Sequence, residues 1–173
     1  MHALLAADRG VAGIESVRAA CLRDGSGQLQ LRWEVRGALH GLRLPDAGVP
    51  RREDGLWRHT CFEAFIAPVA SAPAYLEVNL APSLAWATYA FSDYRSGQQV
   101  AQETPVEDPR CERDAGCLLI EARLPWDPGP AARIGLSAVL EDAHGALSYW
   151  ALAHAPGQPD FHRAAGFVLQ LPA

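Results

Sequence analysis

Gln28-Leu29-Gln30-Leu31-Arg32-Trp33-Glu34-Val35-Arg36 alternates strictly between polar and apolar side chains. In an extended chain Leu29, Leu31, Trp33 and Val35 face one way, and Gln30, Arg32, Glu34 and Arg36 face the other. A period of two is the pattern of a strand with one face in a core and one in water. Residues 14–22 alternate in the same way, and Asp24-Gly25-Ser26-Gly27 supplies a turn between the two runs, so together they read as a hairpin. Residues 37–55 are rich in Gly, Pro and charge and read as a long loop, a feature that often borders a site. Strands are predicted at 57–66, closed by Pro68, at 75–80, and at 86–91 after the turn Ala81-Pro82-Ser83. Residues 92–116 are polar and turn-rich. Further strands are predicted at 118–124, stopping at Pro125, and at 133–140 after the Pro/Gly loop 127–132. The last two, at 148–154 and 167–171, follow the turn at His144-Gly145. About nine short strands without a long helix predict an all-β fold, an antiparallel β-sandwich of immunoglobulin-like or jelly-roll type. No repeat or composition break divides the chain, so residues 1–173 read as one domain with its core at about 14–171.

Composition removes whole classes of chemistry. All 15 basic residues are arginine, which excludes Schiff-base lysines and a P-loop lysine. Met1 is the only methionine, so there is no internal methionine ligand for haem. A net charge of -5 with scattered arginines argues against nucleic acid or an anionic membrane as partner. The apolar run 3–7 ends at Asp8-Arg9, short of a secretory signal, and no stretch reaches the length of a membrane span. A cytoplasmic location is therefore the expectation. Cys21, Cys61, Cys111 and Cys117 form no CxxC pair, and buried or idle thiols are the simplest reading.

Strand parity also sorts candidate site residues. Along 57–66, Trp57, His59, Cys61, Glu63 and Phe65 share one face; along 75–80, Tyr75, Glu77 and Asn79 share the face opposite Leu76, Val78 and Leu80. If these strands pair, Glu63 lies near Glu77 or Asn79, in a row flanked by Trp57, His59 and Tyr75. Aromatic rings beside carboxylate and amide groups suit a sugar, because a ring stacks on a pyranose face while Glu and Asn take its hydroxyls. Near the C-terminus, Ser148-Tyr149-Trp150-Ala151-Leu152-Ala153-His154 runs into Ala155-Pro156-Gly157-Gln158-Pro159 and then Asp160-Phe161-His162. A strand that delivers an aromatic, an acid and two histidines to a loop is a common setting for recognition.

The segment Leu56-Trp57-Arg58-His59-Thr60-Cys61-Phe62-Glu63-Ala64-Phe65, with Tyr75-Leu76-Glu77-Val78-Asn79-Leu80-Ala81-Pro82-Ser83 and Trp86-Ala87-Thr88-Tyr89, resembles bacterial DOMON-like proteins. Those are in turn similar to family 9 carbohydrate-binding modules. Ile120-Glu121-Ala122-Arg123-Leu124-Pro125, the stretch from Ser148 to His162 and Gly166-Phe167 continue the likeness, which covers about residues 14–171. The resemblance implies a β-sandwich and, across the wider superfamily, binding of sugar or haem. The chain departs from haem-binding members in lacking internal Met and any Lys, and from secreted carbohydrate modules in showing no export signal.

The expected function is non-catalytic binding of a small polar molecule, a sugar among the candidates. The candidate contacts are Trp57, His59, Glu63, Asn79, Trp150, His154, Asp160 and His162. The competing readings are a divalent metal or bis-histidine haem site among His59, His154 and His162, a small enzyme using the same histidines, and an interaction module without a small ligand. No catalytic residue and no resident cofactor is assigned. Gly-x-Ser-x-Gly is absent, and Cys61 and His59, two apart in a strand, stand about 7 Å from each other, too far for direct activation. Glu63 with Glu77 could act as a carboxylate pair for glycoside hydrolysis. Glu121 and Arg123 read as cross-strand ion-pair partners.

Overall fold

A computed structural model describes residues 1–8 and 10–171. In chain order the strands are β1 (His2–Ala3), β2 (Leu5–Ala6), β3 (Ile14–Arg23), β4 (Leu29–Gly37), β5 (Arg51–Arg52), β6 (Cys61–Pro68) and β7 (Tyr75–Leu80). They continue as β8 (Ala85–Phe91), β9 (Gln99–Val100), β10 (Glu107–Arg113), β11 (Cys117–Leu124), β12 (Ala132–Glu141), β13 (Leu147–Ala151) and β14 (Leu169–Leu171). The helical pieces are single 3-10 turns, among them Leu56–Arg58 and Ala164–Gly166. The strands form two sheets. The smaller has the order β1-β3-β4-β11-β10, and the larger runs β2-β13-β12-β6-β7-β8-β5, with β14 added to β12 and β9 to β8. All pairings are antiparallel except the two-residue contact of β5 with β8. The fold is the all-β antiparallel sandwich that the alternation predicts.

The alternating stretch behaves as its pattern requires. Leu29, Leu31, Trp33 and Val35 are buried between the sheets, packed with Leu118, Ile120 and Leu124 of β11 and with Phe62, Ala64 and Ile66 of β6. The opposite face of β4 is wet. There Arg32 pairs with Glu121 directly across on β11, and Arg123 pairs with Glu107 across on β10. The ion-pair reading of Glu121 and Arg123 thus resolves into two pairs with separate partners.

The described residues form fourteen strands where the sequence suggests about nine. The additions are mostly two-residue edge pieces, and β10 lies inside the segment read as polar turns. Its residues alternate between half-buried and exposed, and Pro109 falls at the break in its pairing with β11. An edge strand with Pro and charge carries no apolar signature. The strand expected from Trp57 begins at Cys61 instead. Gly55, at φ +79, opens the 3-10 turn Leu56–Arg58, which His59 N–H closes on the Leu56 carbonyl. The strand expected over 148–154 leaves the sheet after Ala151, and the last strand starts at Leu169.

The larger sheet is buried on both faces. Its inner face joins the core between the sheets; its outer face carries a second apolar cluster of Cys61, Phe65, Tyr75, Tyr89, Phe91 and Phe167 with small alanines. Loops cover this outer face, which is why β6 and β7 are buried along nearly every residue. A strand buried on both sides places even polar residues in a dry setting, and Glu63, Glu77 and Asn79 are such residues.

Candidate functional site

The outer face of the larger sheet brings the candidate groups together by register. Glu63 on β6 faces Asn79 on β7 and Ser137 on β12, and Phe65 faces Glu77. Because side chains alternate, Glu63, Glu77, Ser137 and Val139 all leave the sheet on the side away from the main core. A cavity of about 290 Å³ opens above them. Its floor is Glu63, Glu77 and Val139; its walls are Phe91, Tyr149 and Phe161 with Trp57 at the rim; its remaining lining comes from Arg95, Gln98, Pro159, Asp160 and His162.

The floor carboxyls are almost wholly buried, Glu63 at 3% exposure and Glu77 at 5%. Asn79 Nδ2 donates to Glu77 Oε1 at 2.6 Å, and Cys61 Sγ lies 3.5 Å from Asn79 Oδ1. Burial first, and Glu77 beside it second, push the Glu63 carboxyl well above the usual carboxylate range. Burial raises Glu77 too, with Asn79 and Arg95 pulling the other way. The two behave as one buried pair. Ser137 lies close enough to counter the rise at Glu63, yet its hydroxyl makes no hydrogen bond. Burial also lifts the Cys61 thiol well above its ordinary value, which disfavours the thiolate.

The C-terminal loop closes over this floor. Asp160 Oδ1 accepts from Arg95 Nη2 at 2.9 Å and from the His162 backbone N–H at 3.2 Å, and Asp160 Oδ2 accepts from Tyr94 Oη at 2.5 Å. Burial alone would raise the Asp160 carboxyl, but the Tyr94 and Arg95 bonds hold it below its usual value. The Tyr75 hydroxyl accepts from the Arg95 backbone N–H at 3.3 Å, which leaves its own hydrogen for His162 Nδ1 at 2.7 Å. His162 therefore carries its proton on Nε2, which lies 3.8 Å from Glu77 Oε2. Desolvation, with Arg95 adding to it, lowers the His162 pKa to about 4. Phe65, Tyr75 and Phe91 pack around the ring at 5.1–5.9 Å between centroids.

Of the candidate residues, the structure brings Trp57, Glu63, Asp160 and His162 to the cavity, with Asn79 bracing the floor from beneath. Three lie elsewhere. His59 faces solvent and bonds Glu141 Oε2 through Nδ1 at 2.8 Å, with Arg43 on the other carboxylate oxygen. Trp150 points into the core between the sheets, where its Nε1 donates to Ser148 Oγ at 3.0 Å. His154 holds the Leu5 carbonyl through Nε2 at 2.8 Å and borders Phe161. The three histidines thus serve three separate networks. Among the described residues no three His, Cys, Asp or Glu side chains gather closely enough to hold a metal ion.

Sequence reasoning missed Tyr149, Phe91, Phe161, Gln98 and Arg95 as lining residues. Tyr149 is the neighbour of Trp150, and parity inverts their roles. The β12–β13 register sets Tyr149 opposite Val139 on the outer face and Trp150 opposite Ala138 on the inner. Alternation showed that the two differ in face without showing which face is inward. Arg95 lies in a polar turn with no pattern at all.

No family model matches the chain, and no curated protein does. Among solved structures it is similar to a Bacteroides uniformis protein described as a "putative carbohydrate-binding protein". The superposition has a TM-score of 0.54 at 16% identity, spanning 90% of this chain and 76% of that one. At that identity the likeness shows the shared sandwich fold.

Proposed function

We propose that the chain is a non-catalytic binding domain for a small polar ligand of sugar type, held in the cavity on the outer face of the larger sheet. The observation that carries this reading is the pairing of surfaces. The Trp57 ring stands 39% exposed at the rim, edge-on to Tyr89 at 6.0 Å, beside a floor of two buried carboxyls. A polyhydroxylated ring has an apolar face to stack and hydroxyls to bond, and the cavity supplies both kinds of partner. Ligand cavities run about 300–1,000 Å³, so one of 290 Å³ suits a mono- or disaccharide better than a long polymer. The carbohydrate-binding description of the Bacteroides uniformis neighbour points the same way.

The test is a thermal-shift and tryptophan-fluorescence screen of mono- and disaccharides, with neutral, amino and acidic members. Ligand at 100 times its dissociation constant adds about 2.7 kcal/mol to stability. Trp57→Ala should weaken the hit several-fold to about tenfold, the worth of one aromatic contact. Absence of stabilisation by every sugar at millimolar concentration would sink this reading.

A further inference from the structure

We infer that the cavity takes a free ammonium group, so that its ligand is a sugar or sugar-like molecule bearing an unacylated amine. The inference rests on the cavity being the binding site and adds the ligand's charge.

The floor holds more acceptors than donors. Glu63 is all but fully buried, lines the cavity, and has the Ser137 hydroxyl as its one nearby side-chain donor among the described residues. That hydroxyl, directly across from it on a residue 2% exposed, makes no close hydrogen bond of its own. Glu77 receives a single side-chain N–H, from Asn79, with His162 Nε2 standing off at 3.8 Å. A buried carboxylate left short of donors and counter-charge is costly, and folds normally satisfy one.

Among the described residues Arg95 alone lends the pair positive charge, and it does so from a distance. On β6, Cys61 is an uncharged thiol below Asn79; on β7, Tyr75 is committed to His162; on β8, Tyr89 donates to Asp54. On β12, Glu141 is occupied by His59 and Arg43. Tyr149 on β13 is uncharged. From the covering loops come Asp160, Arg95 and His162. Arg95 is the cation nearest the pair, and its guanidinium is bound to Asp160. His162 is held neutral by the Tyr75 bond and its apolar surroundings. The floor is a buried carboxyl pair short of counter-charge, and a cationic ligand would bring it.

An ammonium fits by count and charge. It brings three donors and no acceptor, against a floor that offers carboxylate oxygens. A neutral hydroxyl brings one donor and no charge, so it leaves the pair holding its proton. The cation also reverses the effect of burial and mutual repulsion on the pair, so a carboxyl proton leaves for solvent as the ligand enters.

The experiment is calorimetric titration with glucosamine, glucose and N-acetylglucosamine, repeated in two buffers of different ionisation enthalpy. Glucosamine should bind tighter than either relative by about tenfold to a hundredfold, the range of a charge-assisted contact, with net proton release. Its affinity should rise as pH climbs above the ordinary carboxylate range. Glu77→Gln should remove most of the preference while the protein stays folded by circular dichroism. If that variant does not fold, Glu63→Gln and the wild-type pH series carry the test. Equal binding of all three sugars, or a flat pH series, overturns the ammonium inference and leaves the sugar pocket standing. Failure of every sugar to bind overturns both.

Discussion

His162 is the residue whose state depends most on its neighbours. The Tyr75 hydroxyl donates to Nδ1 only while that nitrogen is bare, and the aromatic box around the ring cannot solvate a charge. Its folded pKa, about 4, lies below the ordinary 6.5, so between those values the unfolded chain binds the extra proton. The sign follows: the His162 contribution to stability is fully present above pH 6.5 and is lost as pH falls toward 4. The raised carboxyls of Glu63 and Glu77 act in the opposite sense, weakening the fold as pH rises above the ordinary carboxylate range. Titration of the histidine ring signals by NMR should show His162 still neutral at pH 6, with its midpoint near 4. A midpoint near 6.5 would refute the buried, hydrogen-bonded ring. In the sequence His162 was legible as a candidate because it follows Asp160 by two positions after a turn. Its neutrality was not, because Tyr75 and Phe91 reach it from other strands.

At the scale of elements, β12 is the hinge between the two cores. Leu136, Ala138 and Leu140 face inward, while Gly135, Ser137 and Val139 face the covering loops. A Cβ at Gly135 would meet Phe167 Cδ1 at 2.7 Å, and Phe167 stacks on Phe65 at 5.8 Å. Gly135→Ala should therefore overpack the outer cluster, costing about 1–3 kcal/mol and shifting the His162 ring signals through Phe65. Urea unfolding with an unchanged midpoint would show that the loop yields freely there. Elements with an apolar stripe, β4, β7 and β11, were readable from alternation. The 3-10 turn at Leu56–Arg58 and the edge strands β5, β9 and β10 were not, since they are held by single backbone bonds or by polar pairing rather than by a buried stripe.

Over the whole molecule, the two sheets share the core that Trp33 anchors, with its ring 6.1 Å from Phe62 across the interface. Trp33→Ala should cost about 3–5 kcal/mol and lower the stability of both sheets together, in one urea transition followed by far-UV dichroism and by tryptophan fluorescence. Two separated transitions would mean the sheets are independent units. Trp33→Phe should cost less than Trp33→Ala, because it keeps most of the ring and removes an indole N–H that is buried without a partner. The class of fold, and the inward face of β4 and of β7, follow from the order of residues alone. That information is local: alternation of apolar and polar side chains is written into consecutive residues, and burying the apolar set is the largest favourable term in folding. It also placed Trp57 and Glu63 in one motif and Asp160 and His162 in another. Only the tertiary structure decided that these meet over Glu77, that Trp150 and His59 turn elsewhere, and that Arg95 is spent on Asp160. Those outcomes depend on strand register and on the path of covering loops, where groups far apart in the chain fix each other's charge and direction.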